Sequence, residues 1–196
     1  MDFLQEINFK DIMTISLILF AVIDILGSIP IILDIKAKAG PIDAQQTTLI
    51  SGIIMFVFLF IGNQILIMIG LDLASFSIAG SFIIFLLALE MILNRDIFKS
   101  HNDPKTSTIV PLAFPIIAGA GTLTTLLSLR SEYELINIII SILINLIFIF
   151  VVIHLIPKIE KILGDGGIEV LRRVFGIVLL SIAIKLFTKN IGILFT

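Results

Sequence analysis

Six apolar stretches run through the chain at residues 12–33, 47–69, 73–93, 107–129, 135–157 and 174–194, each about 20 to 23 residues long. Between them, charge and turn formers cluster in the connections 34–46, 70–72, 94–106, 130–134 and 158–173, the first carrying the Gly40-Pro41 pair. A helix rises about 1.5 Å per residue and a bilayer core is about 30 Å thick, so each stretch is long enough to cross the hydrocarbon with modest tilt. The pattern predicts an all-α polytopic membrane protein of six transmembrane helices. The 196 residues leave no room for a separate soluble domain, so 1–196 reads as a single membrane domain.

Connection 94–106 divides the spans into two groups of three. Three is odd, so if the halves, about 12–93 and 107–194, are structural repeats, the second must enter the membrane from the side opposite to the first, as an inverted pair. Direct identity between the halves is slight. The correspondence rests on the first span of each half, which carries the helix breakers: Gly27-Ser28-Ile29-Pro30 in one, and Pro111, Pro115, Gly119 and Gly121 in the other. Spans 1 and 4 are therefore expected to be broken.

Composition agrees with this class: 58% of the residues are hydrophobic and only 14% charged, against about a quarter charged in soluble domains. A net charge of −2 without a long basic run speaks against nucleic-acid binding. Cysteine is absent, which removes disulfides, thiolate metal sites and cysteine nucleophiles together. The first residues carry Asp2, Glu6, Lys10 and Asp11 instead of a positive region, and the apolar run behind them is too long for a signal peptide, so it reads as a retained span. Alternate connections are charged unequally. Lys36, Lys38, Arg95, Lys99, Lys105, Lys158, Lys161, Arg172 and Arg173 lie on one side, against Lys10, Arg130, Lys185 and Lys189 on the other. This bias predicts cytoplasmic loops after spans one, three and five, with linker 94–106 among them, and both termini outside the cytoplasm, in an inner (plasma) membrane.

A proline inside a helix removes its own N–H and frees a carbonyl four residues back, here Leu26 for Pro30 and Pro111 for Pro115. Non-helical backbone at membrane depth is tolerated only inside protein or beside a water-filled cavity, so breaks in two matching spans point to a shared central cavity. Half-helix N-termini facing it attract a carboxylate, and free carbonyls attract an ammonium group or a cation. The plainer reading is a pair of kinks for close packing. Asp24, near the middle of span one, is the sharpest single residue, since a charge there costs about 2.5 to 3.5 kcal/mol on insertion scales. It is either a ligand for an ammonium, a proton or a cation, or a carboxyl that caps the broken backbone.

Asn63, Gln64, Ser75, Ser77, Ser81, Thr122, Thr124, Thr125 and Asn145 read either as the lining of a polar route or as bonds between helices, and Glu90, His154 and Lys185 as interface groups near span ends. The Gly164-Asp165-Gly166-Gly167 run reads as a turn. His101 and His154 lack metal-ligand spacing, and no Walker, nucleophile-elbow or dinucleotide motif occurs, so no enzyme, resident metal or cofactor is expected and transport would use a gradient or a partner.

The stretch 19–30, Leu-Phe-Ala-Val-Ile-Asp-Ile-Leu-Gly-Ser-Ile-Pro, resembles the first signature of the MarC/SnatA membrane proteins, usually Asn-Pro-x-Gly-Asn-x-Pro. The stretch 111–122, Pro-Leu-Ala-Phe-Pro-Ile-Ile-Ala-Gly-Ala-Gly-Thr, is similar to the second, usually Pro-Leu-Ala-x-Pro-x-x-Ala-Gly-Pro-Gly. The resemblance covers the whole chain. It implies a small carrier related to the LysE exporter superfamily, with inverted three-helix repeats, outward termini and coupled movement of glycine and other small neutral amino acids. Asp24 matches the signature Asn, Gly27 the Gly, Ser28 the second Asn and Pro30 the Pro, while Gly119 and Gly121 match the second motif; Ile25 and Ala120 each stand where the signatures have Pro.

The expected function is thus a secondary transporter of a small zwitterionic solute, coupled to H+ or Na+, with Asp24, Gly27, Ser28, Pro30, Pro115, Gly119, Gly121 and Thr122 around the solute near the midplane. Two other readings stand beside it: a cation or metal-ion transporter using Asp24 with Glu90, and a non-transporting membrane scaffold. Substrate, direction and oligomeric state are not written in the sequence.

Overall fold

A computed structural model describes residues 7–93 and 108–194; linker 94–106 and His101 lie outside them. The described residues are helical, with no strand among them. The first apolar stretch forms two helices, α1 (Phe9–Ile23) and α2 (Ile29–Ala39), followed by α3 (Ala44–Ile69) and α4 (Leu73–Leu93). After the linker come α5 (Thr108–Ile117), wound as a π-helix, α6 (Ala120–Glu132), and the long helical run α7 (Leu135–Leu194). Three helical segments are long and apolar enough to cross a membrane: Ala44–Ile69, Leu73–Leu93 and Leu135–Gly164.

Helix starts follow from local chemistry. Asn8 caps α1 through Lys10 and Asp11, and Asp43 caps α3 through Gln45 and Gln46. Asp72, just before α4, accepts from the Ser75 amide at 2.7 Å and from its hydroxyl at 2.9 Å. Chiefly the Ser75 amide, and then its hydroxyl, hold the Asp72 carboxyl below its ordinary value.

The residues of α3 are sorted in the reverse of the soluble pattern. Leu49, Ile53, Val57, Phe60 and Ile61 are exposed, whereas Thr47, Ser51, Gly52 and Gly62 are buried beside Met55, Leu59 and Leu66. Large apolar groups on the outside and small residues inward are what lipid selects, because helices in hydrocarbon associate by close approach instead of by escape from water. Gly52 shows that approach: a Cβ there would stand 2.8 Å from Leu146 of α7.

The connection 158–173 differs from its expected loop. It is shorter than expected: helix runs up to Gly164 and resumes directly after it, and Gly164, with φ 62° and ψ 175°, is the kink at which two helices meet, within the run read as a turn. The residues flanking the Gly164-Asp165-Gly166-Gly167 run include helix formers such as Leu, Glu, Lys and Arg, and the break falls at Gly164, which is free of the Cβ penalty. On either side of it sit Glu160 and Arg172. Arg172 pairs with Asp34 at 2.7 Å, and Glu160 pairs with Lys36, so the end of α2 is fastened to α7 by two ion pairs of opposite sense.

At the other end of α1 lies a second fastening. Asn137, Ser141 and Asn145 are buried at four-residue spacing on α7. The Asn8 amide donates to Asn137 Oδ1 at 3.1 Å, Ser141 Oγ to the Ile12 carbonyl at 3.1 Å, and Asn145 Nδ2 to the Ser16 carbonyl at 3.2 Å. Each bond joins residues 129 apart, so α1 and the first part of α7 run parallel.

Candidate functional site

The first interruption covers 24–28, between α1 and α2. Asp24 takes the left-handed conformation at φ 45° and ψ 51°, which Asn and Asp tolerate better than other residues bearing a Cβ. The carboxylate turns onto its own break: Asp24 Oδ1 accepts the Gly27 amide at 3.1 Å, and Ser28 Oγ donates to the Asp24 carbonyl at 3.0 Å. Gly27 leaves the room for this, since a Cβ there would lie 2.3 Å from Asp24 Oδ2. Pro30 stands in the first turn of α2, where its missing N–H removes no helical bond.

The second interruption lies at Ala118–Gly119, between α5 and α6. Pro111 and Pro115 fall within α5, whose wider winding extends to an Ala118 amide bonded to the Ala113 carbonyl at 3.0 Å; the Phe114–Pro115 peptide is cis. Such π-turns occur where the regular ladder is disturbed. Gly119 is sterically required, because a Cβ would sit 2.0 Å from the Pro115 carbonyl oxygen. Thr122 reaches back across the gap, donating to the Ile117 carbonyl at 3.0 Å.

Both half-helices beyond the gaps, α2 and α6, begin without a side-chain cap. Their starting residues Ser28, Gly119 and Ala120 are buried. At α2 the Ile29 amide donates to the Leu26 carbonyl at 3.2 Å and Pro30 has no N–H, so the buried amides in need of partners are chiefly those at the start of α6. The second interruption lies near the end of α1: α1 packs on α6, and a Cβ on Gly121 would stand at ordinary contact, 3.6 Å, from Val22, two residues before Asp24. The structure thus gathers Asp24, Gly27 and Ser28 at one gap and Pro115, Gly119 and Thr122 at the other, with Gly121 against Val22 at the end of α1; among the described residues, no hydrogen bond joins the two sets.

The weaker candidates divide. Asn145 bonds between helices, Thr124 and Thr125 donate to the Gly121 carbonyl within α6, and Ser81 donates to the Ile78 carbonyl. Glu90, expected at the interface, is buried at 7% exposure. His154 is exposed and stacks on Phe150 with centroids 5.9 Å apart. Asn63 and Gln64 line a cavity of about 470 Å³ with Ser128 and Arg130. Sequence reasoning missed Asn137 and Ser141, although three small polar residues four apart on an apolar helix are a signal for one face packed on backbone. Among the described residues no group of three or more His, Asp or Glu is placed to hold a metal ion.

Interrupted helices with small residues at their crossings, apolar outer faces and buried polar groups define an integral membrane protein of the polytopic helical class. The chain belongs to the MarC family of integral membrane proteins, whose family model matches residues 9–195. A membrane protein of Buchnera aphidicola (Schizaphis graminum strain) is 31% identical over 191 residues, 93% of this chain and 96% of that protein. The inner membrane protein YhgN of Escherichia coli K12 is 30% identical over 190 residues, covering 93% and 96%. No solved structure matches the chain significantly.

Proposed function

We propose that this protein is a secondary transporter of small neutral amino acids such as glycine and alanine, driven by a proton or sodium gradient, in an inner membrane with both termini outside the cytoplasm. The reading includes kinship with LysE-type exporters and six spans as two inverted three-helix repeats, α1–α4 and α5–α7, each opening with a broken helix. The relative in Escherichia coli named as an inner membrane protein supports the location.

One observation carries the reading: the half-helix α6 starts uncapped and buried at Gly119 and Ala120, packed on α1 just before the first interruption. Its free amides form a site for a carboxylate. Asp24 supplies the opposite charge within the same region, suited to the ammonium of a zwitterion or to the coupling cation, while Gly27, Gly119 and Gly121 let backbone approach the solute and Ser28 and Thr122 border it. Pro30 and Pro115 set the backbone of the two gaps. Rocking of the repeats about this site gives alternating access.

The test is counterflow of radiolabelled glycine and alanine in proteoliposomes, with imposed proton or sodium gradients. Saturable counterflow is the expected result, with gradient-driven accumulation reduced at least about tenfold in Asp24→Asn. Absence of counterflow for every small neutral amino acid overturns the function, and accumulation unchanged in Asp24→Asn removes the carboxylate from coupling.

A further inference from the structure

The cavity of about 470 Å³ lies away from the two interruptions, between the later part of α3, the start of α4 and the end of α6, and is lined by Leu59, Phe60, Asn63, Gln64, Leu73, Leu127, Ser128 and Arg130. Its polar groups do not belong where a lipid-facing helix would put them. Asn63 and Gln64 are adjacent and exposed on α3, seven and six residues before its cap Gly70, hence about 9 to 10 Å inside the helix end. Two amides at that depth against hydrocarbon would leave several donors and acceptors unpaired, so they require water or a ligand beside them. Arg130 closes the same space from the last turn of α6. Its position there also complements the end of the α6 dipole. That role accounts for a cation at this helix end and leaves the two amides facing it unexplained.

We infer that this cavity is a binding site for a small solute bearing a carboxylate, anchored on the Arg130 guanidinium, with Asn63 and Gln64 completing the polar contacts. Three features select the chemistry. The wall holds a guanidinium and no acidic residue, so an anionic group is favoured and a bare cation is not. A guanidinium presents paired N–H donors in a plane that fits a carboxylate two-on-two. The side-chain carbonyls of Asn63 and Gln64 accept hydrogen bonds from an ammonium on the same solute. The volume falls within the range of small-molecule sites, roughly 300 to 1,000 Å³. Along α6, Arg130 lies nine residues from Gly121, about 13 Å. The site is therefore one helix-length from the interruptions, with a charge opposite to that of Asp24.

The chain has no tryptophan, so a single reporter can be placed in the cavity wall as Phe60→Trp. Fluorescence of the delipidated protein in detergent is titrated with glycine, alanine, acetate and glycinamide, which lacks the carboxylate, and separately with phosphatidylglycerol. The expected result is saturable change with glycine, alanine and acetate and none with glycinamide. Adding Arg130→Gln should weaken binding roughly tenfold or more, the factor that loss of one charge-assisted hydrogen bond gives, while Arg130→Lys retains part of it and Lys185→Gln leaves it intact. Circular dichroism and monodispersity verify that each variant is folded, and Asn63→Leu offers a second route that leaves the guanidinium in place and should also weaken glycine binding. Response to glycinamide equal to that to glycine, indifference to Arg130→Gln, response confined to phosphatidylglycerol, or no response to any compound each overturns the proposal. Saturable binding here without counterflow in proteoliposomes would leave this site standing and remove the transport function; counterflow without binding here would do the reverse.

Discussion

Asp24 and Gly27 are fitted to each other: the carboxylate accepts the Gly27 amide at 3.1 Å, and a Cβ on Gly27 would lie 2.3 Å from the other carboxylate oxygen. The side chain of Asp24 thus does the work of a cap, and the charge that makes it notable in the sequence is additional to that work. Asn can accept the same bond and tolerates the same left-handed backbone. Asp24→Asn should therefore keep thermal stability in detergent close to wild type, whereas Gly27→Ala, which expels the carboxylate, should lower it by about 1 to 3 kcal/mol. Equal stability of Gly27→Ala and wild type would show that the carboxylate is not held at this break.

Two glycines around the second interruption separate packing from function. A Cβ on Gly80 of α4 would fall 2.3 Å from the Cβ of Ala120, where something must shift, while one on Gly121 would meet Val22 at 3.6 Å without strain. Gly80→Ala should cost about 1 to 3 kcal/mol of stability, recovered in part by Ala120→Gly in the same chain. Gly121→Ala should fold at least as well as wild type, since Ala favours helix over Gly by up to about 1 kcal/mol, yet it fills space between the two gaps. Its counterflow should drop several-fold at unchanged stability. Denaturation and counterflow measured on the same preparations check both halves of this contrast.

The helical class and the places of both interruptions were legible in the sequence, because apolar run length and the Pro and Gly positions report directly on backbone constraints. Partners were not. Asn145 read as pore lining or, more readily, as a helix contact, and the common offset of 129 residues to α1 decides for contact and supplies the partner. Asp34 and Arg172 looked like solvated loop charges, since nothing in either loop encodes the other. The break at Gly164 was legible from its Gly-rich run, but the helices on either side reach further into the connection than expected, because charged residues end an apolar stretch and do not end a helix. The cavity at Arg130 is formed by residues far apart in the chain, and the sequence offered only the odd Asn63-Gln64 pair as a hint of it.

The two ion pairs that fasten α2 to α7 should differ sharply in weight. Arg172 and Asp34 have side chains only 17% and 7% exposed, so removing one partner strands the other in a poorly solvated place. Fully buried pairs lose about 3 to 5 kcal/mol in that way, and these partly exposed groups about 2 to 4. Lys36 and Glu160 are 23% and 39% exposed, where water screens the attraction and a single neutralisation should cost about 0 to 1 kcal/mol. Asp34→Asn and Arg172→Gln should each destabilise strongly, and the double variant should lose much less than their sum, because neither charge is then left alone. Lys36→Gln and Glu160→Gln should be nearly silent. A chemical-denaturation cycle in detergent distinguishes the two pairs, and additive losses at 34 and 172 would show that the attraction between those side chains contributes nothing to holding α2 in place.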